Sequence, residues 1–460
     1  MTNTLPSKRT GHESGVGLQK HKRSATDFGI ALLTPLLGQE FLDKYNLRDP
    51  LNRGLKYGVK HAFSAAGAST RQFKRVQGLG KPATRLKPSG ADYFDLTPDD
   101  DQKMIVETVA EFAEEILRPA AHDADAAATY PPDLIAKAAE LGITAVNIPE
   151  DFDGIAEQRS TVTNALVAEA LAYGDMGLAL PILAPGGVAS ALTHWGSADQ
   201  QASYLPEFAG ENVPQACVAI AEPHPLFDPT ALKTTAVRTP SGYRLDGVKS
   251  LVPAAADAEL FIIAAQLNGK PALFVVESST SGVTVTPDPS MGIRAAALGR
   301  VELDKVTVPL TARLGEDVSE AEHDQNYSDA IALSRLGWAA LAVGTSHAVL
   351  DYVVPYVKER EAFGEPIAHR QSVAFMCANI AIELDGLRLI TWRGAARAEQ
   401  GMSFAREAAL AKKLGTDKGM QIGLDGVQLL GGHGYTKEHP VERWYRDLRA
   451  LGVAEGVVVL

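Results

Sequence analysis

The sequence predicts an α+β fold built from three consecutive domains, helical, then all-β, then helical, within a chain of 460 residues. Three observations predict it. Apolar residues at Ile105, Val109, Phe112 and Ile116 recur at the spacing of one helix face. From about residue 214 that spacing gives way to short apolar or alternating runs broken by turn residues. From Ser328 onward long Ala/Leu-rich stretches return, with Gly431-Gly432 and Pro440 marking a turn. A chain of this length ordinarily divides into two or three packed units.

In chain order, residues 1–92 read as a basic helical extension, with helices expected at 25–45 and 50–77 and a Gly/Pro/Lys linker through Gly90. Thr97-Pro98-Asp99-Asp100 opens the first helical domain, 93–213, with Thr97 as N-cap and acids in the first turn. Further helices are expected at 132–141 and 161–172. The β-domain, 214–318, takes strands at 216–221, 235–238, 243–251, 259–266, 272–277 and 283–286. Ser241-Gly242 and Asn268-Gly269 are its hairpin turns. The last helical domain, a bundle, occupies 319–460.

The net charge of −12 is unevenly spread, +11 over residues 1–90 and −23 over the rest. An acidic body argues against nucleic acid as a partner, because phosphate binding needs a basic surface. The basic arm is expected to dock on that body, burying Phe28, Leu32, Leu33, Phe41 and Leu42, with acidic lipid or an acidic partner as the alternatives. Asp27 interrupts the one stretch that superficially looks like a signal peptide, Phe28 to Gly38 behind Lys20, Lys22 and Arg23. No apolar run approaches the roughly 20 residues that span a bilayer. Cys217 and Cys377 stand far apart without metal-ligand neighbours, which predicts a reducing, cytoplasmic setting and no zinc or disulfide framework.

The last third carries motifs. Arg360-Glu361-Ala362-Phe363-Gly364 is followed by Gln371, and Gln428 leads into Gly431-Gly432-His433-Gly434-Tyr435. Pro440, Glu442-Arg443 and Arg446-Asp447 follow, and Glu455-Gly456 closes the series without a gap from Arg335. Read alone, an arginine beside an aromatic residue suits a pyrophosphate and an adenine, and paired glycines let backbone N–H groups approach a phosphate. A tight turn between surface helices is the bland reading of Gly-Gly-x-Gly by itself. Taken together, over residues 93–460, these segments resemble the acyl-CoA dehydrogenase family. The resemblance implies its three-domain fold, FAD as cofactor, an acyl-CoA substrate, electron-transfer flavoprotein as acceptor, and a dimeric or tetrameric assembly. By the same resemblance Arg360, Phe363, Gln371, Gln428 and Gly432 contact the flavin of a neighbouring subunit.

The chemistry that the resemblance implies is removal of the α-proton of a thioester by a carboxylate while a β-hydrogen leaves as hydride. A water-excluding pocket strengthens such a base. Glu455 is the expected base, its own N–H one donor to the thioester oxygen. Arg335 is expected beside the substrate, and Ser334 stands where some members place their glutamate. Other positions depart from the family. Thr-Glu-Pro-Gly-Ala-Gly-Ser-Asp is here Ala221-Glu222-Pro223-His224-Pro225-Leu226-Phe227-Asp228, and the Trp-Ile-Thr-Asn after Gly247 and Lys249 is Leu251-Val252-Pro253-Ala254. Val457 replaces the threonine after Glu-Gly. Contacts to the chain's own flavin are therefore eroded while those offered to a neighbour remain. Three readings follow: a dehydrogenase acting alone, a dehydrogenase subunit working with a related chain as a hetero-oligomer, and a non-catalytic acyl-CoA-binding scaffold or partner.

Overall fold

A computed structural model describes residues 96–154, 160–210 and 212–460. The basic arm and its expected docking lie outside the described residues.

The first domain is helical because its apolar residues fall on one face. Helix α1 (Asp100–Phe112) buries Val109 and Phe112. Its cap is Asp99, not Thr97: the Asp99 carboxylate accepts from Gln102 N at 2.8 Å, and the Gln102 amide oxygen accepts from Asp99 N in return. That reciprocal box satisfies two otherwise unpaired amides, which a cap two residues earlier would not reach. A π-turn, Ala113–Leu117, leads into α2 (Arg118–Ala127), and α3 (Leu134–Glu140), α4 (Thr161–Gly174), α5 (Met176–Trp195) and α6 (Ala198–Ala209) complete the domain. Against the expectation from sequence, α5 has the length and composition to cross a bilayer. It carries Pro181 and Pro185 and is buried on nearly all sides, which makes it the central helix of a core.

The middle domain is a seven-stranded sheet: β1 (Ala216–Ala219), β2 (Thr235–Thr239), β3 (Gly242–Val252), β4 (Leu260–Leu267), β5 (Lys270–Glu277), β6 (Val283–Pro287) and β7 (Gly299–Pro309). Both expected hairpins form, β2 with β3 and β4 with β5. One edge of β4 is covered by β5, and the other is shared by β1 and β2, both parallel to it. Strand β7, unforeseen from sequence, pairs with β3 and β6.

Helix α7 (Glu320–Glu359) dominates the last domain and begins eight residues before the expected Ser328, with Ser319 and Glu322 forming its capping box. A short hairpin, β8 (Glu361–Ala362) and β9 (Glu365–Pro366), leads to α8 (Gln371–Glu399), α9 (Ala405–Leu414), α10 (Met420–Leu430) and α11 (Val441–Leu448). Arg443 of α11 reaches across the molecule to the buried Asp175 at the start of α5, 2.9 Å away. The described residues thus share one continuous apolar core that joins the three domains.

Candidate active site

Glu455 sits on an extended segment that leaves the last short helix, Arg449–Gly452. The next residue fixes its position. Gly456 bridges to Ala219 of β1, and Val457 N donates to Val218 O at 3.0 Å. At φ +83° a Cβ on Gly456 would stand 2.9 Å from Val218 O, so glycine is required there. From α7, the Ser334 hydroxyl donates to Gly456 O at 2.9 Å and accepts from Gly456 N at 2.8 Å. The Trp338 indole N–H donates to the same carbonyl at 2.9 Å. A loop tied this firmly to β1 and α7 presents its glutamate in one direction.

The Glu455 carboxylate is nearly buried and meets two cations. Arg335 donates to Oε1 from Nε at 3.2 Å and from Nη2 at 3.0 Å, and reaches Oε2 only at 3.4 Å. Lys412 Nζ of α9 lies 3.9 Å from Oε1 and donates to Ala454 O. Burial pulls the Lys412 ammonium down to about 8, against the opposing pull of Glu455. Among the described residues no acceptor takes the Glu455 N–H. Sequence reasoning brought Arg335, Ser334 and Glu455 to one place and missed Lys412, which stands in an ordinary helical pattern with no local signal.

The other predicted residues gather elsewhere. Arg360, Phe363, Gln428 and Gly432 line one groove of about 840 Å³, with Arg370 and His433 beside them. Gln371 is not in its lining; it opens α8 next to Ser372, which is. Phe363 is 95% exposed, and the Arg370 guanidinium lies 5.7 Å from its ring centroid. Two guanidinium groups, an open aromatic face and a glycine pair with free space around it form a donor set suited to a phosphorylated, ring-bearing ligand. At one end of the groove, ligand atoms of His433, Glu438 and His439 lie within 4.8 Å of one another.

The β-domain positions that depart from the family offer a bound ring little. Ser250 N donates to Ala221 O, Leu251 N to Asp288 Oδ2 and Ala254 N to Ala296 O, and Pro253 has no N–H. Leu226, Leu251, Ala254 and Val457 all hold positive φ, a region that residues other than glycine and asparagine seldom enter. Leu251 borders a cleft of about 370 Å³ that also touches Met291, Thr416, Arg449 and Val453. The groove of Arg360, Phe363, Gln428 and Gly432 therefore fits the phosphate-bearing end of FAD, whereas at the end of β3 the N–H groups of Ser250, Leu251 and Ala254 are already bonded within the chain and Pro253 has none.

Helical, β and helical domains around a buried carboxylate–arginine pair, with a groove suited to a phosphorylated ligand, describe an enzyme of the class whose domain families match this chain. Three domain families match in order: the N-terminal domain of acyl-CoA dehydrogenase over residues 99–212, the middle domain over 217–306 and the C-terminal domain over 326–457. A probable acyl-CoA dehydrogenase of Bacillus subtilis, YngJ, is 30% identical over 372 residues, covering 79% of this chain and 96% of its own. The structure of butyryl-CoA dehydrogenase from Megasphaera elsdenii superposes with a TM-score of 0.72 at 27% identity, over 79% of this chain and 96% of that one. The FAD complex of PigA superposes at 0.71 and 25% identity, over 78% and 95%. The chain belongs to the acyl-CoA dehydrogenase family.

Proposed function

We propose that the chain catalyses FAD-dependent α,β-dehydrogenation of an acyl-CoA thioester to the trans-2-enoyl-CoA, with Glu455 as base, in an assembly with a related subunit. The observation that carries this reading is the Arg335–Glu455 pair on a loop clamped by Ser334, Trp338 and β1. FAD, when bound, supplies the acceptor for the β-hydrogen. The chain's own residues handle the proton. Arg335 and Lys412 crowd Oε1, so Oε2, with a single long contact, is the atom free to take the α-proton. A proton taken there leaves negative charge on the thioester oxygen, and the free Glu455 N–H is one donor to it. Arg335 holds the carboxylate in direction, so that its approach to the α-carbon needs no search.

The uneven flavin contacts support the mixed assembly. The groove of Arg360, Phe363, Gln428 and Gly432 has a use only if a flavin reaches it from a neighbour, with Gln371 at its edge. The end of β3 argues that this chain holds its own flavin poorly. Electron-transfer flavoprotein is the proposed acceptor and the cytoplasm the proposed location, consistent with two unpaired cysteines. The test is flavin content and thioester oxidation of the chain purified alone and with a co-expressed related subunit. The mixed assembly should be yellow and oxidise a thioester while the lone chain is nearly colourless. Stoichiometric FAD on the lone chain contradicts the need for a partner, and absence of oxidation in both contradicts the enzyme reading.

A further inference from the structure

Immediately behind Glu455 the chain enters the helical core. Val457, Val458, Val459 and Leu460 are each no more than 3% exposed. Glycines make room for them: a Cβ on Gly187 of α5 would stand 2.1 Å from Val457 O, and one on Gly337 of α7 would stand 2.7 Å from Val458. Around the segment stand Ile143, Val167, Ile182 and Leu183, and the space left beside it is about 20 Å³, room for no more than one water. Two amide atoms in that lining, Asn147 Oδ1 and Asn164 Nδ2, have no partner. At the root of the segment Val457 is held at φ +71°, strain that a β-branched residue adopts only when its surroundings impose it.

We propose that Val457–Leu460 occupies the apolar chamber into which the acyl chain of a substrate extends, and so determines the length of acyl group this chain accepts. The proposal rests on the reading of Glu455 as the base and deepens it. A thioester whose α-carbon is at Glu455 needs a dry, apolar space for the carbons beyond it. On the α5–α7 side that space begins within two residues of Glu455 and is filled by the chain itself. Acyl chain and segment therefore compete, and in the packed arrangement the space of about 20 Å³ excludes acyl carbons from the chamber, so that only a chain short enough to end before it is accepted. Removing the three side chains after Val457 opens the chamber without touching Glu455, Arg335, Ser334 or the β1 bridge.

The test uses unreactive alkyl-CoA thioethers, butyl-CoA and octyl-CoA, titrated calorimetrically into the full chain as purified, with its related subunit where the two are co-expressed. Each methylene moved from water into an apolar site strengthens binding by up to about fourfold. Relative to wild type, the V458G/V459G/L460G variant should strengthen octyl-CoA at least tenfold while butyl-CoA changes little. Circular dichroism verifies that the variant is folded. Should the triple variant not fold, Leu460→Ala alone should shift the octyl-to-butyl ratio several-fold in the same direction. An unchanged ratio in a folded variant overturns the proposal. Glu455→Gln separates this result from the identity of the base: it should abolish oxidation and leave the binding preference as in wild type.

Discussion

Replacing Lys249 by methionine tests how the β-domain is held beside the site. Lys249 and Glu222 are both buried, with side chains 0% and 2% exposed. The Glu222 carboxylate accepts from Lys249 Nζ at 2.8 Å and from the N–H groups of Lys233 at 2.7 Å and Thr234 at 2.9 Å. Lys249 Nζ also donates to Ile220 O at 3.1 Å, which ties β3 to the residue following β1. Burial alone pushes the Glu222 carboxyl up, but the Lys249 ammonium outweighs it and holds the group below its ordinary 4.5. Burial pulls Lys249 itself down to about 8, against the attraction of Glu222. Lys249→Met leaves a buried carboxylate with two neutral backbone donors and, apart from the imidazole of His224 3.8 Å away, no cationic group beside it, at a cost of about 3–5 kcal/mol. Adding Glu222→Gln removes the stranded charge and should recover most of that loss. Urea unfolding of the single and double variants measures both numbers. A Lys249→Met variant within about 1 kcal/mol of wild type would refute the reasoning, because the carboxylate would then have to be hydrated, neutral or paired with His224.

Three further outcomes follow from the same contacts. Lys412, ordinarily near 10.5 and about 8 in the fold, penalises the folded state in full below pH 8. That penalty, on the order of 3 kcal/mol, fades as pH rises from 8 towards 10.5, so stability should gain over that range and Lys412→Met should lack the gain. Ser334→Ala strips a donor and an acceptor from buried Gly456. It should cost about 1–3 kcal/mol of stability and lower kcat more than it raises KM, as denaturation and steady-state kinetics can check. Arg360→Ala should deplete flavin from the mixed assembly, read as the ratio of flavin to protein absorbance, and leave the thermal stability of the lone chain unchanged.

What could be read in the sequence depended on the range of the interaction concerned. The β2–β3 and β4–β5 hairpins were legible because Ser241-Gly242 and Asn268-Gly269 act within a few residues. Strand β7 was not, since its stability comes from β3 and β6 rather than from its own alternation. The first helix was foreseen with the wrong cap: Thr97 and Asp99 are both acceptable residue types, and only the reach of Gln102 back to the Asp99 N–H decides between them. Glu455 and Arg335 came from motif register, 120 positions apart, and stand 3.0 Å apart. Lys412 and the burial of Val457–Leu460 had no signature, because each depends on what other helices place around it.

The most direct test of Glu455 as the base is α-proton exchange. Wild-type assembly incubated with an acyl-CoA in D2O should incorporate deuterium at the α-carbon, followed by mass spectrometry of the recovered thioester. Glu455→Gln, similar in shape, should slow that exchange about a hundredfold or more while leaving the circular dichroism spectrum and the affinity for the thioester unchanged. Exchange at the wild-type rate in the Gln variant would show that another group takes the proton and that the Arg335–Glu455 pair is only structural.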